Sequence, residues 1–264
     1  MKYIFLKELK LSRRSLIIWS AIMLLTAMFG MAEFYSLRNN LDVLMNAVSG
    51  MPRIVCIAFG TDSIPVNTPL GCYATMYYYF GIIAYCFAVY TGVYIIARDE
   101  RFKTSEFLYT KPFSRNSIIT AKMLVAALNI IVMAVVTVVG SLVFLVPLFP
   151  EANLANDAVI TTVGMFLTML VFLAVGLFSA TASKSYGQAL LNAFITLILC
   201  YAVSFIIEYT KIVNLEFITP IRWFNVKSVT DNGISILYVL LAAAITAVGV
   251  WRALKCYEKR DLHV

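Results

Sequence analysis

One histidine occurs in the 264 residues, His263, next to the C-terminal residue. A single imidazole excludes a paired-histidine zinc site and leaves no histidine general base inside a fold. Cys56, Cys72, Cys86, Cys200 and Cys256 form no CxxC pair, so zinc-ribbon and dithiol redox chemistry have no support. They read as reduced, small apolar residues; a Cys56–Cys72 disulfide is the alternative. No GxxxxGKS/T stretch is present, so the chain has no phosphate loop and is not itself a P-loop ATPase. Charged residues make up 13% of the chain, against about 25% in soluble domains. No carboxylate falls centrally in an apolar run: Glu33 and Glu208 lie at one set of ends, Asp99 and Glu100 at the other. Proton- or sodium-driven transporters usually place one at mid-depth, so ion-coupled transport is disfavoured.

What is abundant is apolar surface: 61% hydrophobic residues and a mean hydropathy of +0.86. A helix rises 1.5 Å per residue, so a hydrocarbon core of ~30 Å needs about 20 apolar residues. Six runs meet that length, at about 16–34, 70–97, 123–148, 158–182, 189–207 and 234–251. The fold class is therefore all-α integral membrane, with six transmembrane helices in a single domain. The first run exceeds the ~7–15 residues of a signal-peptide core and reads as a retained span. Residues 1–15 are too charged to span. Phe5, Leu6 and Leu9 can share a face away from most of the basic residues, which predicts an amphipathic interfacial helix.

The connections carry further signals. Between 36 and 69, Leu41, Leu44, Met45 and Val48 recur at helical spacing, predicting interfacial helices or a short re-entrant piece. Tyr73, Tyr77, Tyr78, Tyr79 and Phe80 read as a membrane–water boundary cluster. Ala84, Ala88 and Gly92 recur every four residues and predict close helix packing, within the chain rather than between subunits. Asn129 and Asn192 read as interhelical hydrogen bonds. In the 208–233 connection, Phe217, Ile218, Ile221, Trp223 and Phe224 read as interface anchors.

Sixteen of the 21 basic residues fall in 1–15, 98–122, at Lys184 and in the tail; five fall on the other side. That excess predicts that both termini are cytoplasmic. The formal charge of +7 is thereby read as loop charge, not as a nucleic-acid surface.

The densest charge lies between the second and third runs, in RDERFKTSEFLYTKPFSRNSIITAK, Arg98 to Lys122. Burying even one such charge in hydrocarbon costs several kcal/mol, so the stretch is expected to be an aqueous loop. Phe102, Phe107, Leu108 and Tyr109 can form an apolar knob, with Lys103, Glu106, Lys111 and Arg115 as a polar rim. Pro112 would end a short helix there.

Arg98-Asp99-Glu100, Thr104-Ser105-Glu106-Phe107-Leu108, Lys111-Pro112-Phe113-Ser114-Arg115 and Lys122 resemble the signature of ABC-2-type transporter permeases. Lys103 stands where that family commonly has glycine, and Ser105 where it has leucine. The resemblance implies a half-transporter that pairs with a second permease subunit, identical or paralogous, and with separate ATP-binding cassette subunits. ATP and magnesium would be bound by those partners, leaving no cofactor, metal or catalytic residue in this chain. It implies a multi-pass protein of a bacterial plasma membrane, in contact with lipid. Glu100, Phe102, Glu106, Phe107, Leu108, Lys111, Pro112 and Arg115 are the expected contacts to the ATPase. The uncharged spans suit a hydrophobic or amphipathic exported substrate, such as a peptide, drug or lipid. A membrane-resident sensor or accessory subunit of an envelope complex is the alternative reading.

Overall fold

The structure is a computed structural model that describes residues 2–37, 41–101, 115–150 and 152–258. It is helical, with no strand among the described residues. Helix α1 (Lys2–Leu37) is followed by two short helices, α2 (Leu41–Ser49) and α3 (Arg53–Ala58), and by α4 (Pro69–Arg101). Helix α5 (Arg115–Gly140) continues as a π turn over Ser141–Leu145 and a 3-10 turn over Val146–Leu148. Pro147 has no N–H to extend the ladder, and the helix tightens and stops there. Helices α6 (Leu154–Ala182) and α7 (Tyr186–Thr210) are joined by a tight turn. At that turn Ser185 Oγ accepts from the Gln188 amide at 3.4 Å, as an N-cap. Helix α7 ends on Lys211 in the left-handed region, φ 56°. A 3-10 turn (Val213–Ile218), α8 (Pro220–Trp223) and α9 (Val226–Asn232) lead to α10 (Ile236–Glu258).

Among the described residues, six helices are long and apolar enough to cross a bilayer: α1, α4, α5 with its extension, α6, α7 and α10. They form one bundle. The near end gathers the start of α1, the end of α4 and the start of α5; the far end holds α3 and the 213–232 connection.

Helices α4 and α6 are the centre. Of their apolar windows 72% and 61% is buried, against 11–33% in the other four. The two backbones almost touch. A Cβ at Gly92 would lie 2.6 Å from Leu173 O, and one at Gly176 would lie 2.5 Å from Val89 O. Ala84 and Ala88 are fully buried on the same helix as Gly92. Small residues permit this approach, and without a hydrophobic force between helices in lipid, close packing is what holds them. Leu191, Ile195 and Leu199 on α7, and Ile236, Leu237 and Leu240 on α10, stay exposed on the bundle's outside.

Residues 2–15 are helical and run without a break into the first span. Two expectations change. Tyr73 and Tyr77 are buried at 2% and 8% exposure rather than lying at a boundary. Their hydroxyls are met inside the protein: Tyr73 Oη lies 2.7 Å from Thr161 Oγ1, and Tyr77 Oη donates to Thr161 O and Phe224 O. Trp223 and Phe224 are likewise core residues, packed with Val171, Val229 and Ala242. Gly164 makes the space, since a Cβ there would sit 2.5 Å from Phe224 Cβ. Phe217 and Ile218 do remain exposed.

The cysteines are free. Cys56 Sγ donates to Val48 O at 3.5 Å and Cys72 Sγ to Val66 O at 3.3 Å. Asn129 is buried, but its Oδ1 makes no hydrogen bond among the described residues. Asn192 Nδ2 reaches Ser183 Oγ, at the end of α6, at 3.3 Å.

Candidate functional site

At the near end, α4 and α5 are the two roots from which residues 102–114 emerge. Residues Ile4, Ile118 and Ala121 form a small buried cluster that seats the start of α1 on α5. One turn further along α1 comes Glu8, with no solvent exposure. Its Oε2 accepts from Arg98 Nη2 at 2.7 Å, and Arg98 is 3% exposed. Lys122, near the start of α5, is 1% exposed. Its Nζ donates to Ile95 O at 2.9 Å, in the last turns of α4, where a cation also complements the helix dipole. The α1–α4 junction continues in aromatic rings. The Arg98 guanidinium lies 5.6 Å from the centre of the Tyr94 ring, Tyr94 stacks on Tyr90 at 5.4 Å, and Tyr90 meets Trp19 at 6.2 Å.

The stretch expected to be aqueous from Arg98 to Lys122 is therefore buried at both ends. Desolvation is offset because each cation has a protein partner: a carboxylate for Arg98 and a helix carbonyl for Lys122. The arrangement carries no nucleophile–base pair, and no cluster of potential metal ligands exists among the described residues. What it can do is mechanical. Separating Glu8 from Arg98 would strand the Glu8 carboxylate, which has no solvent exposure, at a cost of about 3–5 kcal/mol. A displacement applied to one root thus tends to carry α1, α4 and α5 together.

Of the residues expected to contact an ATPase, Glu100 lies in the last turn of α4 and Arg115 heads α5. Phe102, Glu106, Phe107, Leu108, Lys111 and Pro112 lie outside the described residues. Ala84, Ala88 and Gly92 sit higher on α4, Gly92 against α6. Sequence reasoning missed Glu8. Its signal was there: the lone acid of the basic first fifteen residues, four residues from Ile4 and four from Ser12, which are both buried.

The sequence model of a family described as ABC-2 family transporter protein matches residues 3–261. No curated protein matches the chain.

Proposed function

The chain belongs to the ABC-2 transporter family, and on that premise we propose that it is the permease subunit of an ATP-driven exporter, powered by separate ATP-binding subunits. Two permease subunits, identical or paralogous, would form the pathway in a bacterial plasma membrane, with both termini cytoplasmic. ATP and magnesium would be held by the partner subunits. Residues 98–122 would take the ATPase's movement, through contacts that include Glu100, Phe102, Glu106, Phe107, Leu108, Lys111, Pro112 and Arg115. The substrate would be hydrophobic or amphipathic.

The observation that supports this reading is the buried Glu8–Arg98 pair with Lys122 beside it. It ties the base of the segment to three spanning helices, which is what a segment that receives force requires. The tagged protein, purified from its native membrane in mild detergent, should bring down a stoichiometric P-loop ATPase, identified by mass spectrometry. Glu106→Lys with Arg115→Glu should release that ATPase while leaving the permease folded. A preparation without ATPase, even after crosslinking, would refute the proposal.

A further inference from the structure

A groove of about 360 Å³ runs between α6 and α10 on the outside of the bundle. Ala174 and Phe178 of α6 form one wall, Ile245, Val248 and Gly249 of α10 form the other, and Arg252 stands at one end. The two helices touch at its floor, where a Cβ on Gly249 would lie 2.9 Å from Ala174 Cβ. Phe178, Ile245 and Val248 are exposed, so the groove opens sideways, on the flank that a bilayer covers. From Ala244 to Arg252 it extends about 12 Å along the helix axis. Helix α10 leaves the far-end connection at Ile236, so Arg252 marks the end of the groove that lies at the near end of the bundle.

Arg252 is the one polar residue among those that line the groove. Ile245, Val248, Arg252 and Lys255 follow one another at three, four and three residues, which places them on one face of α10. That face is apolar along the groove and becomes doubly cationic where the groove ends. Lys255 Nζ sits 4.0 Å from the centre of the Trp251 ring, and Arg252 Cζ lies 5.6 Å from it. Trp251, Arg252 and Lys255 are all exposed. An exposed indole at the end of a spanning helix marks the level of the lipid headgroups. The ring attracts both cations, yet neither forms an ion pair among the described residues.

An occupant that matches this surface is apolar for the length of the groove and anionic at one end. A phospholipid of the adjoining leaflet has that form, with an acyl chain parallel to the helices and its phosphate at headgroup level. Basic pockets between spanning helices hold anionic headgroups in this way, and a guanidinium can meet a phosphate with two hydrogen bonds. A choline or ethanolamine headgroup would bring a third cation to the two already there. A second copy of the chain, related by a two-fold axis, would set Arg252 and Lys255 against the same pair at the same level. Charge therefore selects an anionic lipid over either.

We propose that the α6–α10 groove binds an anionic phospholipid, one acyl chain against Phe178, Ile245 and Val248 and the phosphate between Arg252 and Lys255. The lipid fills the notch beside α10, the least buried of the six spans, and fastens it to the central helix α6. Binding needs no ATPase and does not rest on the coupling reading, so the failure of either leaves the other standing.

The test uses the purified full chain in detergent and a phosphatidylglycerol with a diazirine on one acyl chain. After irradiation, label should concentrate in peptides covering 174–178 and 244–252. Phosphatidylcholine with the same acyl chain should label those peptides about five- to thirtyfold less, the worth of one to two basic side chains at a membrane surface. Arg252→Gln with Lys255→Gln should lower labelling by phosphatidylglycerol to the phosphatidylcholine level. Val248→Trp should fill the groove and abolish labelling by both lipids. All these positions are exposed, so the variants should keep the wild-type melting temperature in lipid-free detergent. Equal labelling by the two lipids, or labelling unchanged in the double glutamine variant, would overturn the proposal. So would label spread evenly over the exposed faces of α1, α7 and α10, labelling that survives Val248→Trp, or a dimer crosslinked through Val248→Cys in place of lipid.

Discussion

Replacing Arg98 by leucine removes the guanidinium that donates to Glu8 at 2.7 Å and leaves the Glu8 carboxylate at a site with no solvent exposure. Breaking a buried pair from one side costs about 3–5 kcal/mol. At roughly 2–4 °C per kcal/mol for a chain of this size, the melting temperature should fall by on the order of 10 °C. Glu8→Leu combined with Arg98→Leu leaves no charge to strand and should recover most of the loss, because apolar residues often replace buried pairs at little cost. The assay is thermal unfolding in detergent, followed by tryptophan fluorescence and by size-exclusion recovery, on both single variants and the double. An Arg98→Leu variant that melts with the wild type would show that the Glu8 carboxylate reaches water or another donor. A double variant as unstable as the singles would show that packing, not charge, sets the cost. Either result would refute the account of the joint as an electrostatic tie.

Gly92→Leu should abolish recovery of monodisperse protein, because even its Cβ meets Leu173 O at 2.6 Å; Gly187→Ala, with nothing within 4 Å, should recover normally on the same column. Glu216 has its carboxyl raised above the ordinary 4.5 by burial. The native state therefore holds that proton more readily than the unfolded chain, and this group's contribution to stability is lost as pH rises through the raised value. Glu216→Gln should flatten the fall in melting temperature just above pH 4.5, and an unchanged slope would count against the assignment. In a cysteine-free background, Lys211→Cys should react with an impermeant maleimide on intact cells and Lys184→Cys only after permeabilisation. Both lysines are exposed, so labelling of the two from the same side would overturn the expected orientation.

The six spans were legible because run length is their signal, and it survives without knowledge of neighbours. The fifth, expected at 189–207, extends over 186–210, since polar Tyr186, Gly187 and Gln188 can still turn within the helix. The Glu8–Arg98 pair was not legible: its partners stand 90 residues apart, and only the packing of α1 on α4 joins them. Charge density suggested water at Arg98 and Lys122, but a charge is excluded from hydrocarbon, not from a protein interior that pairs it. The aromatic residues were misplaced for a related reason. A tyrosine hydroxyl accepts water or Thr161 equally well, and the sequence near Tyr73 does not say which lies beside it. Trp223 and Phe224 depend on Gly164, which opens the space for them from another helix.

The crossing at Gly92 and Gly176 also makes α4 and α6 one body. Their backbones meet there, and Tyr77, about 22 Å further along α4, is held to Thr161 of α6, as is Tyr73. With two such points of attachment, α4 has no free arm to swing. A displacement arriving at Arg98 is passed to the pair as a rigid strut, not spent in bending one helix away from the other.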